Sequence, residues 1–325
     1  MVVVLVAGCV GNAMPGENGE QFDTAETLAL PTVAARVAGG GRLQVLATTS
    51  TIGDVVHQVG GDAIDLVVLM QPGQDPHSYQ PGAADLTAAA DADVIFINGW
   101  NLEEGLVGDL TTIARKAVIV PISAGIAPRG LAAHSQAEGE ESLDHGPADP
   151  HVWQDVANVI QWADNVRQVL SAADPTNAAT YEANAERYRA ALEQLDVELR
   201  ASLQSISPEK RVIITNHDNL GYFADAYGFD VVGTVIPSVS TLAEPTAGAL
   251  AELVQTMQAA GICTLVVETT ASDQLARTLE NELTSCDNVK LITLYTDALG
   301  PSGGGAGTYI DMMLANAAAL VEGLR

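Results

Sequence analysis

The sequence predicts an α/β protein of two similar lobes, each a four-stranded, mainly parallel sheet flanked by helices, joined by one long rigid helix. Short Val- and Ile-rich runs alternate with helical segments, the order expected of a parallel sheet. A series of four such runs occurs twice, on either side of a long helical middle. The length, 325 residues, also exceeds that at which a single core usually divides.

The first lobe, residues 42–174, holds the runs Leu43–Thr49, Ile64–Met70, Asp93–Ile97 and Ala117–Ile122. Helical stretches such as Gly53–Val59 and Ala83–Ala90 separate them, and another runs from about Gln154 to Leu170. The linking helix is expected over residues 175–206. There Tyr181, Tyr188, Leu192, Leu195, Leu199, Leu203 and Ile206 recur at steps of seven, four, three, four, four and three, one apolar stripe at helical period. Asp174-Pro175 supplies a cap and first-turn pair. Roughly thirty residues at about 1.5 Å each span about 45 Å, enough to run the height of both lobes. The second lobe, residues 207–325, repeats the strand series with Arg211–Thr215, Val231–Ile236, Cys263–Glu268 and Val289–Tyr295.

Ahead of the lobes, residues 1–9 form a short apolar run ending in Val6-Ala7-Gly8-Cys9, too short to span a bilayer but suited to the end of a signal peptide. The tetrad resembles a bacterial lipobox, which makes Cys9 the expected lipidation site. Residues 10–41, with Gly, Pro, Glu and Thr from Asn12 to Gly41, read as a flexible tether. With 41 acidic against 14 basic residues the net charge is −27, which excludes the basic footprint of nucleic-acid binding and favours attraction of cations.

The chemistry concentrates in a repeated signature: Asp75-Pro76-His77-Ser78-Tyr79 returns as Asp149-Pro150-His151-Val152-Trp153. Imidazole is the commonest metal ligand and needs a neighbour to fix its ring, a role open to an Asp two residues earlier. The intervening proline stiffens each turn. In parallel sheets, ligands gather beyond the carboxyl ends of strands. His77 follows the second run, His217 follows Arg211–Thr215, Asp297 follows Val289–Tyr295, and His151 precedes a helix that can reach the same edge. Three imidazoles and one carboxylate form a closed set that suits Zn2+, or Mn2+ or Fe2+ if the carboxylate binds through both oxygens.

Closure favours binding over catalysis, since a catalytic zinc keeps a position for water. His57, on a helix, is read as a surface or packing residue. His134 and His145 lie in the acidic loop Gly130–Ala148, which either catches metal weakly for His151 or is simply solvated. Glu244 and Glu268 are expected to line the cleft without touching the ion. Cys263 and Cys286 fall at the opposite, amino-terminal edge, where a disulfide is expected in an exported protein.

At these residues the chain resembles the zinc and manganese substrate-binding lipoproteins of bacterial ABC importers, the cluster A-I solute-binding proteins of family 9. Beside the two Asp-Pro-His signatures, the likeness rests on Ala92-Asp93-Val94-Ile95-Phe96-Ile97-Asn98-Gly99, Tyr181-Glu182-Ala183-Asn184-Ala185, His217-Asp218-Asn219-Leu220-Gly221-Tyr222-Phe223 and Tyr309-Ile310-Asp311-Met312-Met313-Leu314-Ala315-Asn316. It implies a cleft-bound ion held by His77, His151, His217 and Asp297. It also implies a membrane permease as partner, export to the outer face of the cell membrane on a lipid anchor or else to the periplasm, and a monomer. A histidine at the third ligand position is typical of zinc-type members, where manganese-type members often carry Glu. The loop with His134 and His145 resembles their His-rich loop but is shorter and poorer in His, and Gln80 stands where many members have Glu. A zinc hydrolase using Asp297 as base, and an adhesin on the same fold, are the rival functions. Neutral imidazoles imply that affinity falls as pH drops through about 6.5.

Overall fold

The structure is a computed structural model that describes residues 26–37, 41–130 and 148–325. The expected lipidation site Cys9 and the loop residues His134 and His145 lie outside the described residues.

In the first lobe, β1 (Leu43–Ala47), β2 (Ile64–Val68), β3 (Val94–Ile97) and β4 (Val118–Pro121) form one parallel sheet in the order β2-β1-β3-β4. Every residue of β3, between β1 and β4, is buried, as its unbroken Val-Ile-Phe-Ile run requires. Helix α1 (Ser50–Gly60) starts where the Thr49 hydroxyl accepts from Ile52 N. It buries Ile52, Val55, Val56 and Val59 on one face and leaves His57 exposed on the other. Helices α2 (Ala83–Asp91) and α3 (Leu106–Ile113) complete the crossovers, and α4 (Val156–Ala173) buries Trp162 against the core that also takes Trp153.

The linking helix is α5 (Ala178–Leu203), 26 residues or about 39 Å long. The helix ends at Leu203, short of the expected 206; the six stripe residues on it are buried, and so is Ile206 just beyond its end. It packs against α1 and α4 of the first lobe and α9 (Tyr309–Leu324) of the second, one core continuous across both. Asp174 does not cap it through the backbone. Pro175–Asn177 make a tight 3-10 turn instead, and the Asp174 carboxylate accepts from Asn177 Nδ2 at 2.7 Å and the Tyr181 hydroxyl at 3.0 Å.

The second lobe holds β5 (Val212–Thr215), α6 (Gly221–Tyr227), β6 (Asp230–Thr234), α7 (Ala247–Ala260), β7 (Thr264–Glu268), α8 (Gln274–Glu282) and β8 (Lys290–Leu294). Its four strands differ from the single sheet expected: β5–β6 and β7–β8 are separate parallel pairs. The β5–β6 ladder carries a register shift between Ile213 and Ile214, and β5 and β7 lie side by side without pairing. Cys263 and Cys286, at the amino ends of β7 and β8, are joined by a disulfide with Cα atoms 5.7 Å apart.

The expected tether also differs. Residues 26–37 lie along the first lobe: Arg36 N donates to Ala173 O at 2.7 Å and Gly125 N to Leu28 O at 2.9 Å. Leu30, Val33 and Val37 pack on the core, so the apolar side chains of this segment hold it in place. No helix among the described residues is long and apolar enough to cross a membrane.

Because α5 shares one core with both lobes, Leu192→Ala is expected to lower unfolding free energy by about 2–5 kcal/mol. The exposed neighbour Glu193→Ala is expected to change it by less than about 0.5 kcal/mol. Denaturant titration of the two variants checks this, and similar effects from both would deny the helix its place in the core.

Candidate metal centre

Four loops at the cleft bring His77, His151, His217 and Asp297 together, all of them buried. His151 Nε2 stands 3.3 Å from His77 Nε2 and 3.4 Å from His217 Nε2. Asp297 Oδ2 is 3.6 Å from His217 Nε2, and Oδ1 is 3.9 Å from His151 Nε2. Neither Asp297 oxygen has a hydrogen-bond partner among the described residues. Ligands about 2.0–2.1 Å from a tetrahedral ion are about 3.3–3.4 Å apart, so the imidazole spacings suit a shared cation.

Each histidine is aimed by a different device. Asp149 Oδ1 accepts from both the backbone N (3.0 Å) and the ring Nδ1 (2.9 Å) of His151, leaving Nε2 free to face the cleft. The other Asp149 oxygen faces Arg129 Nη1 at 3.6 Å, and Arg129 Nε reaches Asp225 of α6 at 3.0 Å. In the first copy of the signature, Asp75 binds only the backbone N of His77, at 3.0 Å. The ring Nδ1 faces Glu104 Oε1 at 3.3 Å instead.

For His217 the orienting group is Glu268 at the end of β7, whose Oε1 lies 2.7 Å from Nδ1 and also accepts from His217 N at 3.2 Å. Glu268 was expected only to line the cleft; its role depends on a contact 51 residues away in sequence. Asp297 is held through its neighbour, as Trp153 Nε1 (2.6 Å) and Gln154 Nε2 (3.0 Å) both donate to Thr296 O. The aromatic two residues beyond each signature histidine thus anchors a loop. Tyr79 does so by donating its hydroxyl to Asp85 Oδ2 at 2.8 Å.

Electrostatics divide the three rings. Burial, then the charges of His217 and His77, push His151 well below its ordinary range. Burial also opposes charge on His217, but Glu268 and Asp297 outweigh it and lift the ring up to about 9. Burial raises Asp297 up to about 7 despite the nearby His217. Asp149 is pushed up to about 6, again chiefly by burial. Burial alone would raise Glu268, yet the charge and hydrogen bonds of His217 hold it below the usual carboxylate range. His217 and Asp297 thus favour their protonated forms at positions that a cation would use.

Comparison with known proteins places this geometry in a family. Residues 45–323 match the family model described as zinc-uptake complex component A, periplasmic. The chain belongs to that family, the metal-binding solute-binding proteins of ABC importers. Its relatives include the manganese-binding lipoprotein MntA of Halalkalibacterium halodurans, 33% identical over 286 residues that cover 88% of this chain and 89% of the relative. The iron ABC transporter substrate-binding lipoprotein MtsA of Streptococcus pyogenes is 31% identical over 304 residues, 91% of this chain and 94% of the relative. Among solved structures, the periplasmic zinc-binding protein TroA of Treponema pallidum superposes with a TM-score of 0.76 at 29% identity, covering 87% of this chain and 99% of TroA.

Glu268→Gln removes the carboxylate that both aims and charges His217. The substitution is expected to weaken divalent-metal binding about 10–100-fold and to return the His217 titration toward about 6.5. Competition titration and NMR of the imidazole protons check the two effects, and wild-type values in both would deny Glu268 this role.

Proposed function

We propose that this chain captures a divalent metal ion, zinc in the first place, outside the cell membrane and delivers it to the permease of an ABC importer. His77, His151, His217 and Asp297 are the proposed ligands, drawn from both lobes. The observation that carries the reading is the pair of unpartnered, buried Asp297 oxygens facing imidazole nitrogens 3.6 and 3.9 Å away. A buried carboxylate and three rings in that relation are costly without a cation and complete with one.

Three convergent imidazoles, with His151 at tetrahedral spacing from each of the other two, favour zinc. Manganese or iron is the alternative. It is supported by the relatives named for those metals and by the freedom of both Asp297 oxygens to bind together. The proposed anchor is a lipid on Cys9, in keeping with the relatives described as lipoproteins. The proposed action is binding and release without chemical turnover, because the four side chains use the donor positions that a hydrolase would leave to water.

Metal analysis of protein purified without added ions, followed by competition between Zn2+ and Mn2+, tests the cargo. The reading expects about one ion per chain and preference for zinc; preference for manganese would select the alternative, and no bound metal would overturn both.

The pH dependence has a definite sign. His217 holds its proton up to about 9 and Asp297 up to about 7 in the metal-free protein. A cation must displace these protons, so affinity rises with pH by up to about tenfold per unit for each proton displaced. The rise flattens above about 9, later than unperturbed histidines would imply, because Glu268 retains the His217 proton. Calorimetric titration in buffers of different ionisation enthalpy is expected to show net proton release at pH 7.5; no release there would contradict this account.

A further inference from the structure

Beside the metal centre the cleft opens into a cavity of about 610 Å³ that the four proposed ligands do not occupy. Its walls come from the segments that carry the centre. Asp75 and Ser78 flank His77, Asn216 precedes His217, and Thr270 follows Glu268 by two residues. Glu244 adds a second carboxylate from an exposed position.

The side chains of two of these wall residues lack partners among the described residues. Asn216 is 2% exposed, yet neither its Nδ2 nor its Oδ1 is hydrogen-bonded, and the Thr270 hydroxyl is also unpaired. Leaving a buried polar group without a partner costs about 1–3 kcal/mol, so the pattern points to a polar occupant. The available acceptors are all oxygens: the Asp75 and Glu244 carboxylates, the Asn216 amide oxygen and the Thr270 hydroxyl. Such a set suits a hard or still-hydrated cation, unlike the nitrogen-rich centre next to it.

Asp75 links the two. One of its oxygens, a His77 ring nitrogen and an Asp297 oxygen all lie within 4.8 Å of one another. We propose that the cavity is a loading site in which a hydrated divalent cation is held by Asp75 and Asn216, with Glu244 adding charge, before it passes to the imidazoles and Asp297. The proposal rests on the reading of a divalent metal as cargo. Staging divides the loss of water into steps: oxygens replace part of the hydration shell first, and nitrogens displace the rest. Asp75 Oδ2 also accepts from Thr241 Oγ1 at 2.6 Å, a direct tie between the lobes. A cation at Asp75 competes for that oxygen, so loading loosens the tie as the ion arrives.

Stopped-flow loading of the metal-free full chain with Zn2+, followed by tryptophan fluorescence at constant ionic strength, tests this. The wild type is compared with Asn216→Ala, Glu244→Gln and the double variant, each with and without millimolar Ca2+. Glu244 is exposed, so its variant retains the fold. The double variant is expected to load about tenfold more slowly, with release to a chelator slowed alongside. Calcium is expected to slow the wild type and leave the double variant unaffected. Wild-type loading rates in the double variant, or an equal response to calcium, would overturn the loading site. Unchanged loading with faster release would also overturn it, making Asn216 a support for His217. A wild type that binds no Zn2+ would overturn the cargo reading itself.

Discussion

Three imidazole nitrogens and a carboxylate converge in a buried cleft, with His151 and Asp297 each 3.3–3.9 Å from neighbouring ring nitrogens, and much of the surrounding structure serves that convergence. Like groups so close repel when protonated, and a buried carboxylate without a partner is costly. The metal-free protein relieves the conflict unevenly. His151 is driven toward neutrality by burial, while His217 keeps a proton supported by Glu268. On the proposed reading, a divalent cation would resolve the whole set at once by taking the place of the protons on His217 and Asp297 and pairing with the buried carboxylate.

Holding four loops to that tolerance requires a stiff frame. The stripe on α5 joins both lobes in one core, and Trp153 passes through that core to grip Thr296 beside Asp297. Ser50 and Asp54 of α1 reach the second lobe as well, through Leu299 N at 3.0 Å and Tyr309 N at 2.9 Å. These ties lie along the α1–α9 side of the cleft. Motion that admits or releases an ion is therefore expected to be local to the loops, more than a wide hinge closure. Arg129 extends the frame outward, connecting Asp149 behind His151 to Asp225 on α6. A Cβ on Gly221 would collide with its guanidinium, so glycine there makes room for the connection.

Much of this was legible in the sequence because it depends on local period. The helical stripe from Tyr181 to Ile206 and the eight apolar runs announce their elements directly, and the doubled Asp-Pro-His singles out two histidines. His217 and Asp297 could be found because each follows a strand at its carboxyl end. What escaped depends on pairs distant in the chain. Glu268 approaches His217 across 51 residues, and Trp153 meets Thr296 across 143. The repeated signature also misled in one respect: Asp149 holds the ring of His151, whereas Asp75 turns its second oxygen to Ser78 and Thr241, leaving Glu104 beside the ring of His77. The division of the second lobe into two strand pairs depends on how β5 and β7 meet, which no composition pattern marks.

X-ray absorption at the metal edge of the loaded protein tests the central claim most directly, because it counts the donors around the ion. The account predicts three imidazole rings among four or five nitrogen and oxygen donors, at about 2.0–2.1 Å if the ion is zinc. A shell with sulfur, or one of oxygens without the outer scattering of imidazole, would contradict it.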